Sequence, residues 1–164
     1  MTNAPNNPRS APALDPRTIR NTSIVDDLPT RSIDLSAPLY RSDGDLINIA
    51  GYPQKQSHEV FLSLLTQAFN ENPKLVKKLG YHPTFTSAPP TGFFLVNFSK
   101  LDKLQFPAEY LSEPSKRGMM QVVGHASDMA YTKMEDFAVH VFWIMVGKVG
   151  YCDCVLCVKG DGFD

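Results

Sequence analysis

The chain has 164 residues, 17 acidic and 16 basic, which is enough for one domain with a sizeable core and too few for two large ones. The near balance of charge supplies no global field toward nucleic acid or anionic lipid, so any DNA contact must come from a local patch. The longest apolar run, Phe137 to Val146, is interrupted by His140 and reaches only about half of the ~20 residues that cross a bilayer, so it reads as a buried helix and no membrane partner is expected.

Residues 1–30 carry Pro5, Pro8, Pro12, Pro16 and Pro29 among Asn, Ser, Thr and Arg, with few large apolar side chains. Such a segment cannot bury enough surface to offset its ordering entropy, which predicts a disordered tail followed by a single domain over 31–164. The first eight residues show no basic stretch leading into an apolar one, so no secretory signal is expected and the chain is assigned to a reducing compartment, cytosol or nucleus. Ser32-Ile33-Asp34-Leu35 alternates polar with apolar like a short strand. Ser42-Asp43-Gly44-Asp45 is a turn signal in which both carboxylates are expected to bond local backbone rather than to do acid–base work. Leu46 to Ala50 is a second short apolar stretch.

Ser57 suits a helix N-cap and Glu59 its first turn, while Val60, Phe61, Leu64, Leu65, Ala68 and Phe69 recur at three- and four-residue intervals, predicting an amphipathic helix. Asn72-Pro73 and Leu79-Gly80 bracket a second short helix over about 73–79, with Lys74, Lys77 and Lys78 on a solvated face. Phe93 to Phe98 and Met119 to Val123 have strand character, separated by a loop containing Pro107, Pro114 and Gly118. Thr132-x-x-Glu135 has the form of a capping box, starting a helix that stops at Gly147, with Trp143 in its core face. Short strands followed by a helix that must cover them predict an α+β fold, a small sheet covered by helices.

The sharpest chemical signal is Cys152-x-Cys154-x-x-Cys157. Three thiols crowded together in a reducing compartment are better metal ligands than disulfide partners, and a C-x-x-C turn presents two thiolates to one ion. A tetrahedral structural zinc needs a fourth ligand, for which His140 leads, His125 is next and Asp153 is weaker. The chain has no Gly-x-Ser-x-Gly elbow, no phosphate-cradling Gly-x-x-x-x-Gly-Lys, no dinucleotide fingerprint and no His-Glu-x-x-His. A cysteine-dependent hydrolase, built from one of these thiols with a histidine and an Asp or Asn, is an alternative that composition leaves open.

Taken together, Ser42-Asp43-Gly44, Tyr52-Pro53, Pro89-Pro90-Thr91-Gly92-Phe93, Gly124-His125, Glu135-Asp136-Phe137 to His140 to Trp143 and the cysteine cluster occur in an order that resembles the cryptic loci regulator two family of fungal transcription-silencing proteins. The resemblance covers residues 42–157 and implies a non-catalytic nuclear module of heterochromatic gene silencing. It also implies partners in a complex that joins a histone deacetylase to a chromatin-remodelling ATPase. Family members continue into a further C-terminal domain, so the chain reads as a short paralogue or a truncated product. Residues 88–147 also look like a methyl-CpG-binding domain. In that family an arginine at the strand-to-helix turn reads guanine in the major groove. Here the turn reads Tyr131-Thr132-Lys133, so the resemblance implies weak DNA contact through Lys116, Arg117 and Lys133, without sequence reading.

Overall fold

The computed structural model describes residues 24–46, 55–97 and 120–160. The fold is α+β, with two small sheets packed against helices. In chain order, a 3-10 turn at Ile24–Asp27 leads into β1 (Thr30–Ile33), then α1 (His58–Asn70), α2 (Pro73–Leu79), β2 (His82–Phe85), β3 (Phe94–Asn97), β4 (Met120–Val123), α3 (Met134–Met145), a 3-10 turn at Val149–Tyr151 and α4 (Val155–Gly160). Val25 and Leu28 pack on the core and His82 Nε2 bonds the Val25 carbonyl at 2.7 Å. Residues 24–30 therefore belong to the fold rather than to the tail expected over residues 1–30.

β1 and β2 pair in parallel, Thr30 opposite His82 and Ile33 opposite Phe85. A parallel pair needs a long crossover, and the α1–α2 hairpin supplies it. The partner strand His82–Phe85 carries no alternating signature and was not expected from the sequence. β3 and β4 pair antiparallel, Phe94 opposite Val123 and Asn97 opposite Met120, and single bridges extend this sheet from Val96 to Lys55 and from Val122 to Tyr131.

The helices form where their punctuation directs. Ser57 accepts from the Val60 N–H and caps α1, and Asn72 accepts from the Lys74 and Leu75 N–H groups with Pro73 at the first helical position. Gly80 closes α2 at φ +84°, a left-handed conformation that a Cβ disfavours. The buried face of α1 is Phe61, Leu62, Leu65, Ala68 and Phe69, with Val60 exposed, so it is turned slightly from the expected stripe. α3 starts one residue beyond the expected capping box. Its N-cap is Lys133, which makes no side-chain cap bond, and Glu135 and Asp136 in the first turn offset the unpaired N–H groups electrostatically.

The core joins these layers through aromatic contacts. Phe61 and Phe93 meet Phe137 with ring centroids 5.7 and 5.0 Å apart, and Phe69 meets Phe85 edge-on at 5.6 Å. Trp143 is only partly buried at the edge of this core, with its indole N–H donated to Asp153 at 2.8 Å. It was expected inside the core, but the buried face of α3 is taken by Phe137, Ala138, His140, Val141, Phe142 and Ile144. Among the described residues, no helix is long and apolar enough to cross a membrane.

Candidate metal centre

Three segments remote in sequence deliver the site. β4 ends at Val123, and Gly124, at φ +120°, carries the chain on to His125. α3 carries His140 inward at mid-helix. Beyond it the chain turns at Gly147 and runs through the 3-10 turn to Cys152, Cys154 and Cys157, the last within α4. The Trp143–Asp153 bond ties the cysteine loop back to α3, so Asp153 is engaged there and is not the missing ligand.

The result is a buried His2Cys2 cluster that could bind a structural metal: the ligand atoms of His125, His140, Cys154 and Cys157 all lie within 4.8 Å of one another. Cys152 is adjacent, its Sγ 3.3 Å from His140 Nδ1, and the same nitrogen is 3.6 Å from both Cys154 Sγ and Cys157 Sγ. His125 Nε2 is 3.4 Å from Cys157 Sγ. Zinc bonds of about 2.3 Å to sulfur and 2.0–2.1 Å to nitrogen set a nitrogen–sulfur edge of about 3.6 Å in a tetrahedron. The observed separations are of that size, and soft sulfur with imidazole is the donor set zinc takes in closed structural sites. Five of the six residues expected as candidate ligands, Cys152, Cys154, Cys157, His140 and His125, are thus brought together.

The electrostatics describe donors that need a cation. Cys154 is held well below the usual thiol range by the hydrogen bond from Cys152, against the opposing effect of burial, with His140 and Tyr131 adding further bonds. The same bond with Cys154, together with burial, pushes Cys152 up, and burial drives Cys157 up to about 12. Burial works against charge on His140, but its bonds to Asp43 and Cys154 outweigh that and raise it to about 9. Burial, with His140 nearby, lowers His125. A divalent ion entering the cluster would displace the protons of the thiols that burial and their neighbours push up.

Asp43 corrects the sequence reading. Rather than serving only its own turn, its carboxylate accepts from His140 Nε2 at 2.9 Å, across 97 positions of sequence. Burial raises Asp43, but the His140 bond outweighs it and holds the carboxyl low. A carboxylate on the far nitrogen of a ligating histidine fixes the ring and leaves the near nitrogen free to coordinate. The loop that carries Asp43 is pinned by Ser42 Oγ to the Thr91 carbonyl at 2.6 Å and by the Asp45 N–H to the Gly124 carbonyl at 3.1 Å. Gly92 and Gly124, at φ +85° and +120°, permit this approach, because a Cβ on Gly92 would strike the Gly44 backbone and one on Gly124 would strike the Gly92 carbonyl. Nothing in the local sequence marks Asp43 as a partner of His140. The turn glycines were visible, but not that they pack on one another.

Of the residues expected to contact nucleic acid, Lys133 is exposed at the start of α3, and Lys116 and Arg117 lie outside the described residues, as does the Tyr52-Pro53 block. No family model, curated protein or solved structure matches this chain. The chemistry of the site therefore stands on its own geometry.

Proposed function

We propose that the chain is a non-catalytic, zinc-stabilised nuclear module acting in heterochromatic transcriptional silencing, as a scaffold or reader within a complex containing a histone deacetylase and a remodelling ATPase. The family-level part of this reading rests on the resemblance to the cryptic loci regulator two family. One observation supports joining it to the metal centre. Parts of five of the six blocks that carry the resemblance, Ser42-Asp43-Gly44, Thr91-Gly92-Phe93, Gly124-His125, Phe137 to His140 and the three cysteines, pack around a single point, while the Tyr52-Pro53 block lies outside the described residues. Residues spaced over more than a hundred positions would serve together as the shell of one structural ion, so their order in the sequence has a common physical purpose. A closed site leaves no coordination position for a substrate water, so the ion would fix the fold rather than drive a reaction.

Two other readings make different predictions. Asp43, His140 and Cys154 lie in the sequence of contacts used by thiol hydrolases, carboxylate to imidazole to sulfur. Cys154 is 2% exposed and His140 0%, however, so a substrate reaches the sulfur only by opening the core. A catalytic thiolate would be alkylated rapidly in the folded protein, whereas a buried, metal-bound one is slow. The finer likeness of residues 88–147 to a methyl-CpG-binding domain rests on the resemblance alone, and Tyr131, at the turn where that family contacts DNA, is 1% exposed in the core.

The test is affinity purification of the intact protein from its source organism, followed by mass spectrometry and by measurement of transcripts from silent loci after deletion of its gene. Co-purification of a histone deacetylase and release of silencing are expected. Their joint absence overturns the proposal, and a tenfold preference for methylated over unmethylated duplex, about 1.4 kcal/mol, moves the assignment to the DNA reader.

A further inference from the structure

The centre offers five donors where a tetrahedral ion takes four, and the hydrogen bonds around the two histidines choose among them. His140 gives its Nε2 hydrogen to Asp43 at 2.9 Å, which leaves the Nδ1 lone pair directed at the three sulfurs, 3.3, 3.6 and 3.6 Å away. His125 is held the opposite way. The backbone N–H of Ser127 donates to its Nδ1 at 3.2 Å. A backbone N–H can only donate, so this nitrogen must accept. Ser127 Oγ lies 2.7 Å from the same nitrogen while accepting from the Met129 N–H at 3.4 Å, so its own proton is free to point at the ring. With Nδ1 accepting, the proton of a neutral imidazole sits on Nε2. A protonated nitrogen has no lone pair for a metal, and it lies 3.4 Å from Cys157 Sγ as a donor.

From this geometry we infer that the metal ligands are Cys152, Cys154, Cys157 and His140 through Nδ1, and that His125 is not a ligand but a positioning residue whose Nε2–H bonds the Cys157 thiolate. The inference rests on the structural-metal reading above and goes beyond it by fixing the donor set. The surroundings of the sulfurs agree with three thiolates. Each faces a donor: the Tyr131 hydroxyl is 3.2 Å from Cys154 Sγ, His125 Nε2–H faces Cys157, and the Cys154 N–H reaches Cys152 Sγ at 3.5 Å. Three thiolates on one divalent ion leave a net negative charge, and hydrogen-bond donors aimed at sulfur stabilise that charge in a buried site. The role of Ser127 follows as well, since its backbone N–H and hydroxyl set the tautomer that keeps His125 off the ion.

The decisive experiment uses the wild-type protein loaded with ¹¹³Cd²⁺ and labelled with ¹⁵N. Scalar coupling from the metal to His140 Nδ1 is expected, with none to His125 and a cadmium shift typical of three sulfurs. Cobalt-loaded variants give a second readout. Cys152→Ser should remove about a third of the thiolate-to-cobalt charge-transfer absorption, one ligand of three. His125→Phe should keep the full absorption and its tetrahedral form while weakening metal affinity about 10- to 100-fold, as loss of an outer hydrogen bond does. Coupling to His125 Nε2, or an unchanged charge-transfer band in a folded Cys152→Ser protein, overturns the inference and leaves a His2Cys2 ion. A wild-type protein that takes up neither zinc nor cadmium fails differently, because it removes the metal centre itself.

Discussion

Replacing Gly92 by Ala probes the joint that holds Asp43 against His140, and Gly80 supplies a matched control. The two glycines have nearly the same backbone conformation, φ +85° and +84°. An alanine at either site carries the left-handed penalty of about 1–2 kcal/mol, and the benefit of a stiffer unfolded chain is the same for both. They differ in what the added Cβ meets. At Gly80 nothing lies within 4 Å, whereas at Gly92 the Cβ would run into the carbonyl, carbon and Cα of Gly44. Backbone has little room to move aside, so relieving that overlap adds about 1–3 kcal/mol. Gly92→Ala should therefore destabilise by about 2–5 kcal/mol in all, and Gly80→Ala by about 1–2 kcal/mol. Urea unfolding of the chelated proteins, followed by far-UV circular dichroism, measures both without the contribution of zinc binding. The same displacement should draw the Asp43 carboxylate from His140 and weaken zinc binding about 10- to 100-fold in Gly92→Ala but not in Gly80→Ala. Equal unfolding midpoints and equal zinc affinities would refute the claim that the 42–45 loop is seated by backbone contact on Gly92.

The core predicts an order of aromatic truncations: Phe137→Ala, at 0% exposure, should cost about 3–5 kcal/mol, and Trp143→Ala, partly exposed and hydrogen-bonded to Asp153, should cost clearly less by thermal or urea unfolding. Removing residues 24–29 should lower the thermal midpoint, because it deletes the Val25 carbonyl bonded to His82 and the Val25 and Leu28 contacts with the core; an unchanged midpoint would return this segment to the tail. The pH response should differ between metal-free and zinc-loaded protein. His140, raised to about 9, contributes stability that is full below its ordinary 6.5 and lost as pH climbs to 9, while Cys154, lowered, gains over the same interval because the unfolded thiol stays protonated up to about 9. These slopes oppose each other, so the chelated protein should change little between pH 6.5 and 9. Zinc binding must displace protons from Cys152 and Cys157, both raised, so the zinc-loaded midpoint should rise and the gap between the two forms widen with pH. A gap that narrows by differential scanning fluorimetry contradicts the metal centre.

Features set by near neighbours were legible in the sequence. The caps at Ser57 and Asn72-Pro73, the stop at Gly80 and the extents of α1 and α2 follow from interactions within one or two turns of chain. The cysteine cluster was legible for the same reason, since Cys152, Cys154 and Cys157 are brought close by their own spacing. Proximity in space could not be read that way. β2 exists because β1 lies beside it, although His82-Pro83-Thr84-Phe85 has no strand pattern of its own. Trp143 and Val60 lie on helices whose periodicity was clear, but the final rotation of each helix depends on what it packs against, and both side chains end nearer the solvent than their pattern suggested. The sequence also offered His140 and His125 as alternatives, because both rings carry the same two nitrogens. Only the folded chain brings Asp43 to one ring and the Ser127 N–H to the other, and these hydrogen bonds determine which nitrogen keeps its proton and which can face an ion.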